Sequence, residues 1–244
     1  MKGFLSVFKR ELRGYFSTPL AYVFLVIFLF FSSFLAFQQG FFEIRQASLR
    51  VFFMNMPLMF ILLVPAIAMR LWAEERRTNS IELLFTLPLT ITQAVLGKFF
   101  AAWTVMALAL LLTCPMVITV AYLGDPDWGP IITGYLGSLL MAGSYLAIGS
   151  FFSCLTRNQV IAFVLAVVAC GMFFYVGSPS AMNYMAGFLP GGVVEAAESL
   201  SFQSRFESIQ RGVLELRDLA FFILLAAGCL WANIIALRER VAAG

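Results

Sequence analysis

The sequence predicts an all-α integral membrane protein with six transmembrane helices. Its 244 residues are 61% hydrophobic and only 12% charged, with a mean hydropathy of +0.92, whereas soluble domains carry about 25% charged residues. Cutting the chain at its charged residues leaves six long uncharged runs, 14–42, 51–69, 99–124, 128–156, 158–194 and 219–237. Each is at least as long as the roughly 17 to 25 residues an α-helix needs to cross the hydrocarbon core. Strands of a membrane barrel would be segments of about 10 residues with alternating polarity, and the runs show no such alternation.

Ahead of the first run, Phe4, Leu5, Phe8, Leu12, Tyr15 and Phe16 recur at helical spacing, with Lys9, Arg10 and Arg13 on the other side. This predicts an amino-terminal interfacial helix over 1–17 whose cations face lipid phosphates. A basic flank that only orients the first span is the alternative. Ser17-Thr18-Pro19 turns the chain into the membrane, since Pro is tolerated in the first turn of a helix. Leu20 to Phe37 outlasts the apolar part of a secretory signal, about 7 to 15 residues, and no small-residue cleavage site follows, so it is expected to stay as span one.

Pro57 and Pro65 in span two and Pro115 in span three are expected kinks. Span four carries Gly134, Gly137, Ser138, Ala142, Gly143, Ser144 and Gly149, a set of small residues that suits close helix–helix approach. Gly177-Ser178-Pro179 breaks the fifth run, and 179–217 is the expected extracytoplasmic segment. Its first half is apolar and rich in Gly and Pro, including Pro190 and Gly191. Its second half spaces Glu207, Arg211 and Glu215 four apart, as a helix favours. A re-entrant or interfacial piece followed by a surface helix accounts for both halves, and a plain loop is the alternative.

With the amino terminus inside, Lys2, Lys9, Arg10, Arg13, Arg70, Arg76, Arg77, Lys98, Arg157, Arg238 and Arg240 fall on the cytoplasmic side, against Arg45, Arg50, Arg205, Arg211 and Arg217 outside. That bias predicts that both termini are cytoplasmic. Cys114, Cys154, Cys170 and Cys229 lie in or beside predicted spans, with no C-x-x-C spacing and no His in the chain, so they read as packing residues and not metal ligands. The 11 Met residues read the same way, as filler more than copper ligands.

No charge sits in the middle of a predicted span, which argues against a charged proton relay. Without His or intramembrane Asp, hydrolysis by a Ser–His pair or paired carboxylates has no machinery. Gly97-Lys98 is followed by Phe99 and lacks a Gly five positions before it, so the phosphate-cradling loop is absent. No cofactor is expected in this chain, and any ATP must be bound by another.

Between spans two and three lies "RLWAEERRTNSIELLFTLPLT", Arg70 to Thr90. Residues 73–85 are expected to form a helix with Ile81, Leu84 and Phe85 on one face and Glu74 facing Arg77. Pro88 and the helix-start pattern around Thr90 lead back into the membrane. Such a helix, tied to two spans, is a lever on which a soluble motor can act. A solvated loop whose charges fix topology is the alternative.

The stretch "MRLWAEERRTNSIELLFTLPLTITQAVLGKF", Met69 to Phe99, resembles the signature region of ABC-2-type transporter permeases, in particular the branch that includes the gliding-motility-associated permeases. Met69-Arg70, Glu74-Glu75, Arg76-Arg77, Glu82-Leu83-Leu84, Thr86, Pro88 and Gly97-Lys98 carry the likeness. Asn79-Ser80 stands where Gly-Thr is usual, which keeps a hydroxyl at Ser80. The tail "RFESIQRGVLELRDLAFF", Arg205 to Phe222, is similar to the family's segment before its last span through Phe206, Arg211-Gly212, Leu216 and Arg217-Asp218. The opening "FKRELRGYFSTPLAYVF" looks like the family's amino-terminal interfacial helix.

The resemblance implies a permease subunit, an exporter, that pairs with a second permease copy or a related one and binds two cytoplasmic ABC ATPase subunits holding ATP and Mg. It implies that the coupling helix region, 71–90, docks in a cleft of the ATPase. On that reading Arg70, Glu74, Glu75, Arg76 and Arg77 make polar contacts, with Ser80 and Glu82 beside them, while Ile81, Leu84 and Phe85 anchor the lever. Pro190, Gly191, Phe206, Arg211, Gly212, Arg217 and Asp218 mark the extracytoplasmic segment. The rival from another class is an ATP-driven anchor or signalling subunit that moves an extracytoplasmic partner protein and carries no substrate, and a motor-free facilitator is a third reading. Nucleic acid is not an expected partner. The uncharged, Phe-rich interior, with 27 Phe, points to amphiphilic or lipid-linked cargo over small ions.

Overall fold

A computed structural model describes residues 2–41, 48–78, 89–188 and 190–243 of the chain. Helix α1 (Lys2–Ser17) stops where Thr18 adopts extended backbone, and Pro19 opens α2 (Pro19–Gln38). The hydroxyls of Ser17 and Thr18 donate to the carbonyls of Gly14 and Tyr15, satisfying acceptors that the end of α1 leaves unpaired. The turn predicted at Ser17-Thr18-Pro19 is thus present.

Span two is built from α4 (Met56–Ala68) and α5 (Arg70–Arg77), preceded by the short α3 (Arg50–Met54). Pro57 lies in the first turn of α4 and starts that helix, so the kink expected there is replaced by a turn at Asn55. The Asn55 side chain exchanges two amide hydrogen bonds with Gln39 at the end of α2 (2.8 and 3.2 Å), which pairs polar groups in apolar surroundings. Pro65 does lie inside α4, and the chain breaks four residues later at Met69. Of the helix expected over 73–85, residues 73–77 lie in α5, which begins at Arg70, and 79–85 lie outside the described residues; α5 continues span two, so that Met56–Arg77 is long and apolar enough to cross a bilayer. Ser80, Ile81, Glu82, Leu84 and Phe85 lie outside the described residues.

Span three consists of α6 (Ile91–Leu111), opened by a reciprocal Thr90–Gln93 capping box, and α7 (Cys114–Leu123). Pro115 stands in the first turn of α7, so here too proline restarts a helix after a break, at Leu112 and Thr113. Helix α8 (Trp128–Leu155) is capped by the Asp127 carboxylate, which accepts from the Gly129 N–H. Its 28 residues would extend about 42 Å, more than the hydrocarbon core of about 30 Å.

The small residues predicted to let α8 approach other helices do so. A Cβ on Gly149 would overlap the Ala68 side chain, and one on Gly137 would come within 2.6 Å of Ile209. The order of these contacts fixes direction. Phe53, Ala68 and Trp72 meet Gly134, Gly149 and Ser153 in turn, so span two runs parallel to α8. Helix α13 (Leu216–Ala243) does the same, with Phe222, Asn233 and Arg240 beside Ser144, Ser150 and Leu155. Two consecutive parallel helices require an intervening crossing, and α9 (Gln159–Tyr175) provides it.

Beyond α9 the chain turns by 73° into α10 (Pro179–Ala186), at the Gly177-Ser178-Pro179 break read from the sequence. Among the described residues, five helices are long and apolar enough to span a membrane, and six when the bent pair counts as one span. The segment between α9 and α13 reverses the expected order of burial. Helix α11 (Gly191–Ser199) has no buried residue, and Pro190 and Gly191 are exposed. The amphipathic α12 (Phe202–Gln210), expected on the surface, packs into the bundle through Phe202, Phe206 and Ile209. Their i, i+4, i+7 spacing forms one apolar stripe, and Phe202 meets the rings of Tyr145, Phe173, Phe221 and Phe222.

Candidate functional site

The charged residues of α5 converge with two other helices at the end of the bundle where the sequence places the cytoplasm. Lys98, in the second turn of α6, has a side chain only 3% exposed. Its ammonium lies 2.8 Å from Glu75 Oε1 on α5 and 3.2 Å from Glu11 Oε1 on α1. The Trp72 ring covers it with its centroid 5.2 Å away, in cation–π range. Arg10 closes the group from the surface, 2.8 Å from Glu11 and 3.5 Å from Glu75.

Gly97 makes this possible, because α1 crosses α6 so closely that a Cβ there would come within 2.8 Å of Val7. A charge removed from water is tolerated only when it is paired and hydrogen-bonded. The cluster therefore binds α1, α5 and α6 together as one unit. Arg10, expected to face lipid phosphates, turns instead towards this cluster. Val7, Glu11 and Tyr15 form the inward stripe of α1, while Lys9 and Arg13 are exposed and Phe8 is half-buried against Phe4.

Burial pushes the Glu11 carboxyl up, but the Lys98 charge and hydrogen bonds from Arg10 and Lys98 outweigh it and hold the group below its ordinary value. A carboxyl lowered in the folded state adds stability above its unfolded value and loses it as pH falls through the folded one. The thermal unfolding midpoint is thus expected to drop on acidification below the usual carboxylate range, with a shallower drop in Glu11→Gln. Equal slopes for the two proteins would show that Glu11 carries no such linkage.

A second set of bonds seats α5 on α8. At the Met69 break, the Ser153 hydroxyl accepts from the N–H groups of Trp72 and Ala73 (3.1 and 3.0 Å) and donates to the Met69 carbonyl (2.8 Å). These are donors that a helix start leaves unpaired. Arg76 donates to the Cys154 carbonyl (2.6 Å) and Arg240 to that of Leu155 (3.2 Å), placing cations at the carboxyl end of α8 where its dipole favours them. Glu74 pairs with Arg70 at 2.8 Å and not with Arg77 as the spacing suggested. Arg77 is exposed. Between α1 and α5 a cavity of about 230 Å³ is lined by Glu11, Tyr15, Thr18, Arg70, Leu71 and Glu74.

Of the residues the sequence singled out, Glu75 and Arg10 therefore meet in the cluster, Arg70 and Glu74 pair with each other beside it, and Arg76 turns to the end of α8. Lys98 and Glu11 were missed as partners. The available signal was a lone cation inside the apolar stretch Val95 to Ala102, which needs a counter-charge. At the other end of the bundle, Asp218 is 2% exposed and bound to Arg205 at 3.0 Å. Arg205 also donates twice to the Ser199 carbonyl (3.1 Å) and lies 5.9 Å from the Phe221 ring. Phe206 is buried beside it. Arg211 pairs with Glu207 in the open, Gly212 takes the left-handed conformation (φ 90°) that ends α12, and Arg217 is exposed.

Several apolar crossings with a buried ionic cluster at one end define a multi-pass membrane subunit. The family model described as ABC-2 family transporter protein matches residues 6–237, and the chain belongs to that family. It is accordingly the membrane subunit of an ABC transporter, a partner of ABC ATPase subunits in the lipid bilayer. No curated protein matches the chain.

Proposed function

We propose that this chain is the permease of an exporter made of two permeases and two ATPases in a bacterial inner membrane, with both termini cytoplasmic. ATP and Mg bound by the ATPases would drive it through the segment 70–90. The observation that carries the proposal is the Lys98 cluster, which clamps α5 to α1 and α6. A push on the segment beyond Arg77 then moves the ends of spans two and three together. In this reading Glu75 and Arg76 transmit force inside the membrane domain, while exposed Arg77, partly exposed Glu74 and residues 79–88 meet the ATPase. The likeness of Met69 to Phe99 to the gliding-motility-associated branch supports the same assignment, and a bundle whose buried charges are paired and confined to its two ends favours amphiphilic cargo.

Arg77→Glu is expected to leave the folded permease intact and to lower, several-fold, the ATPase that co-purifies with it in mild detergent. Unchanged recovery would remove Arg77 from the interface. Glu75→Lys is unsuited to this question, since it would set a second cation against Lys98 and unfold the region under test. The anchor reading also has an observation behind it, because α10, α11 and the turn between them expose Tyr184, Phe188 and Val193, a surface a partner protein could cover. ATP-dependent movement of an amphiphile in vesicles holding the purified complex separates the two, and its absence would favour the anchor.

A further inference from the structure

Where span three breaks, it leaves an apolar groove of about 660 Å³ between α6, α7 and α8, walled by Leu111, Cys114, Ile118, Ile132 and Leu136 with Trp128 at its rim. The break is pinned by Thr113, whose hydroxyl donates to the Leu110 carbonyl (2.6 Å) and meets the Tyr135 hydroxyl (2.8 Å). Beyond it α7 stands away from the bundle and buries only Met116 and Val120. The groove has a closed end. The Trp103 indole lies across Gly143 and donates to the Leu139 carbonyl (2.9 Å), filling the space between α6 and α8 one turn further in.

We propose that this groove holds one acyl chain of a bilayer phospholipid. The depth fits. The ten residues of α7 extend about 15 Å, half of the roughly 30 Å hydrocarbon core, so the groove spans one leaflet and ends near the midplane. The chemistry fits as well: the wall is aliphatic apart from Cys114, Trp128 at the rim and Tyr135, and the Tyr135 hydroxyl is already bonded to Thr113. At the open end Trp128 follows Asp127, the carboxylate that caps α8. Tryptophan is enriched at headgroup level, so a tail entering there leaves its headgroup among polar groups. A second copy packed over the groove is the competing occupant, which cross-linking distinguishes. This assignment rests on the membrane family and not on the export reading.

The test is native mass spectrometry of the full chain, reconstituted in vesicles of phosphatidylethanolamine and phosphatidylglycerol and re-extracted in mild detergent. The wild type is expected to retain a phospholipid-mass adduct through detergent exchange. Leu136→Trp, which fills the groove, should lose most of it, whereas Leu224→Trp on the exposed face of α13 should keep it. If Leu136→Trp does not fold, Ile118→Trp fills the same space from the opposite wall. No adduct, or equal retention in groove and control variants, would overturn the proposal. So would efficient Cys114–Cys114 cross-linking between copies in the vesicles, which would place a second chain over the groove.

Discussion

Lys98→Met is expected to destabilise the protein by about 3–5 kcal/mol, the usual cost of removing one partner from a buried ion pair. The substitution leaves Glu11 and Glu75 facing each other on α1 and α5 with only Arg10 between them, and Arg10 is half exposed. Size-exclusion profiles and thermal unfolding in detergent would show the loss as less monodisperse protein and a lower midpoint. The companion Arg10→Met is expected to cost no more than about 1 kcal/mol, since exposed pairs contribute little. If Arg10→Met proved as damaging as Lys98→Met, the cluster would be a surface feature and α1 would not be clamped by it.

The second large effect is expected at the opposite end. Arg205→Met strands the Asp218 carboxylate, whose Oδ2 is already buried without a hydrogen-bond partner among the described residues. It also removes two hydrogen bonds from the Ser199 carbonyl. A loss of about 3–5 kcal/mol follows on the same grounds, but its form differs. Because α12 is held to α13 by this pair and by the Phe202 ring against Phe221 and Phe222, α12 should open before the bundle does. Hydrogen exchange is expected to rise across 191–211 while α8 stays protected. The double variant Arg205→Met with Asp218→Asn should recover part of the loss, as coupled residues do. Exchange that rises uniformly through the bundle would refute a local fastening.

The crossings were legible in the sequence because hydropathy reports burial in lipid directly, and Gly177-Ser178-Pro179 was legible because a Gly and a Pro interrupt an otherwise continuous run. The small residues of α8 were legible for the same kind of reason, as side-chain volume limits how closely helices approach. The Lys98 cluster was not. Its three helices are joined by partners on separate segments, and no local period announces that Glu11 on α1 will meet a lysine on α6. Helix α12 shows the converse error. Its Glu207 and Arg211 drew attention to the polar face, while Phe202, Phe206 and Ile209 decided where the helix went. Pro57 and Pro115 were misplaced by a few residues, enough to turn helix starts into expected kinks. The fate of Ser80, Glu82, Leu84 and Phe85 lies outside the described residues.

At the Met69 break, one oxygen, Ser153 Oγ, receives the N–H groups of Trp72 and Ala73 and gives its own proton to the Met69 carbonyl, three residues before Trp72. Twisting α5 about its own axis would swing both donors off that oxygen together, and hydrogen bonds weaken steeply with angle. Tilting α5 about the oxygen as a pivot leaves both distances nearly unchanged. The Ser153 contact itself therefore resists twist more than tilt, and because Lys98 ties Glu75 of α5 to Glu11 of α1, any tilt of the end of span two carries α1 and α6 with it.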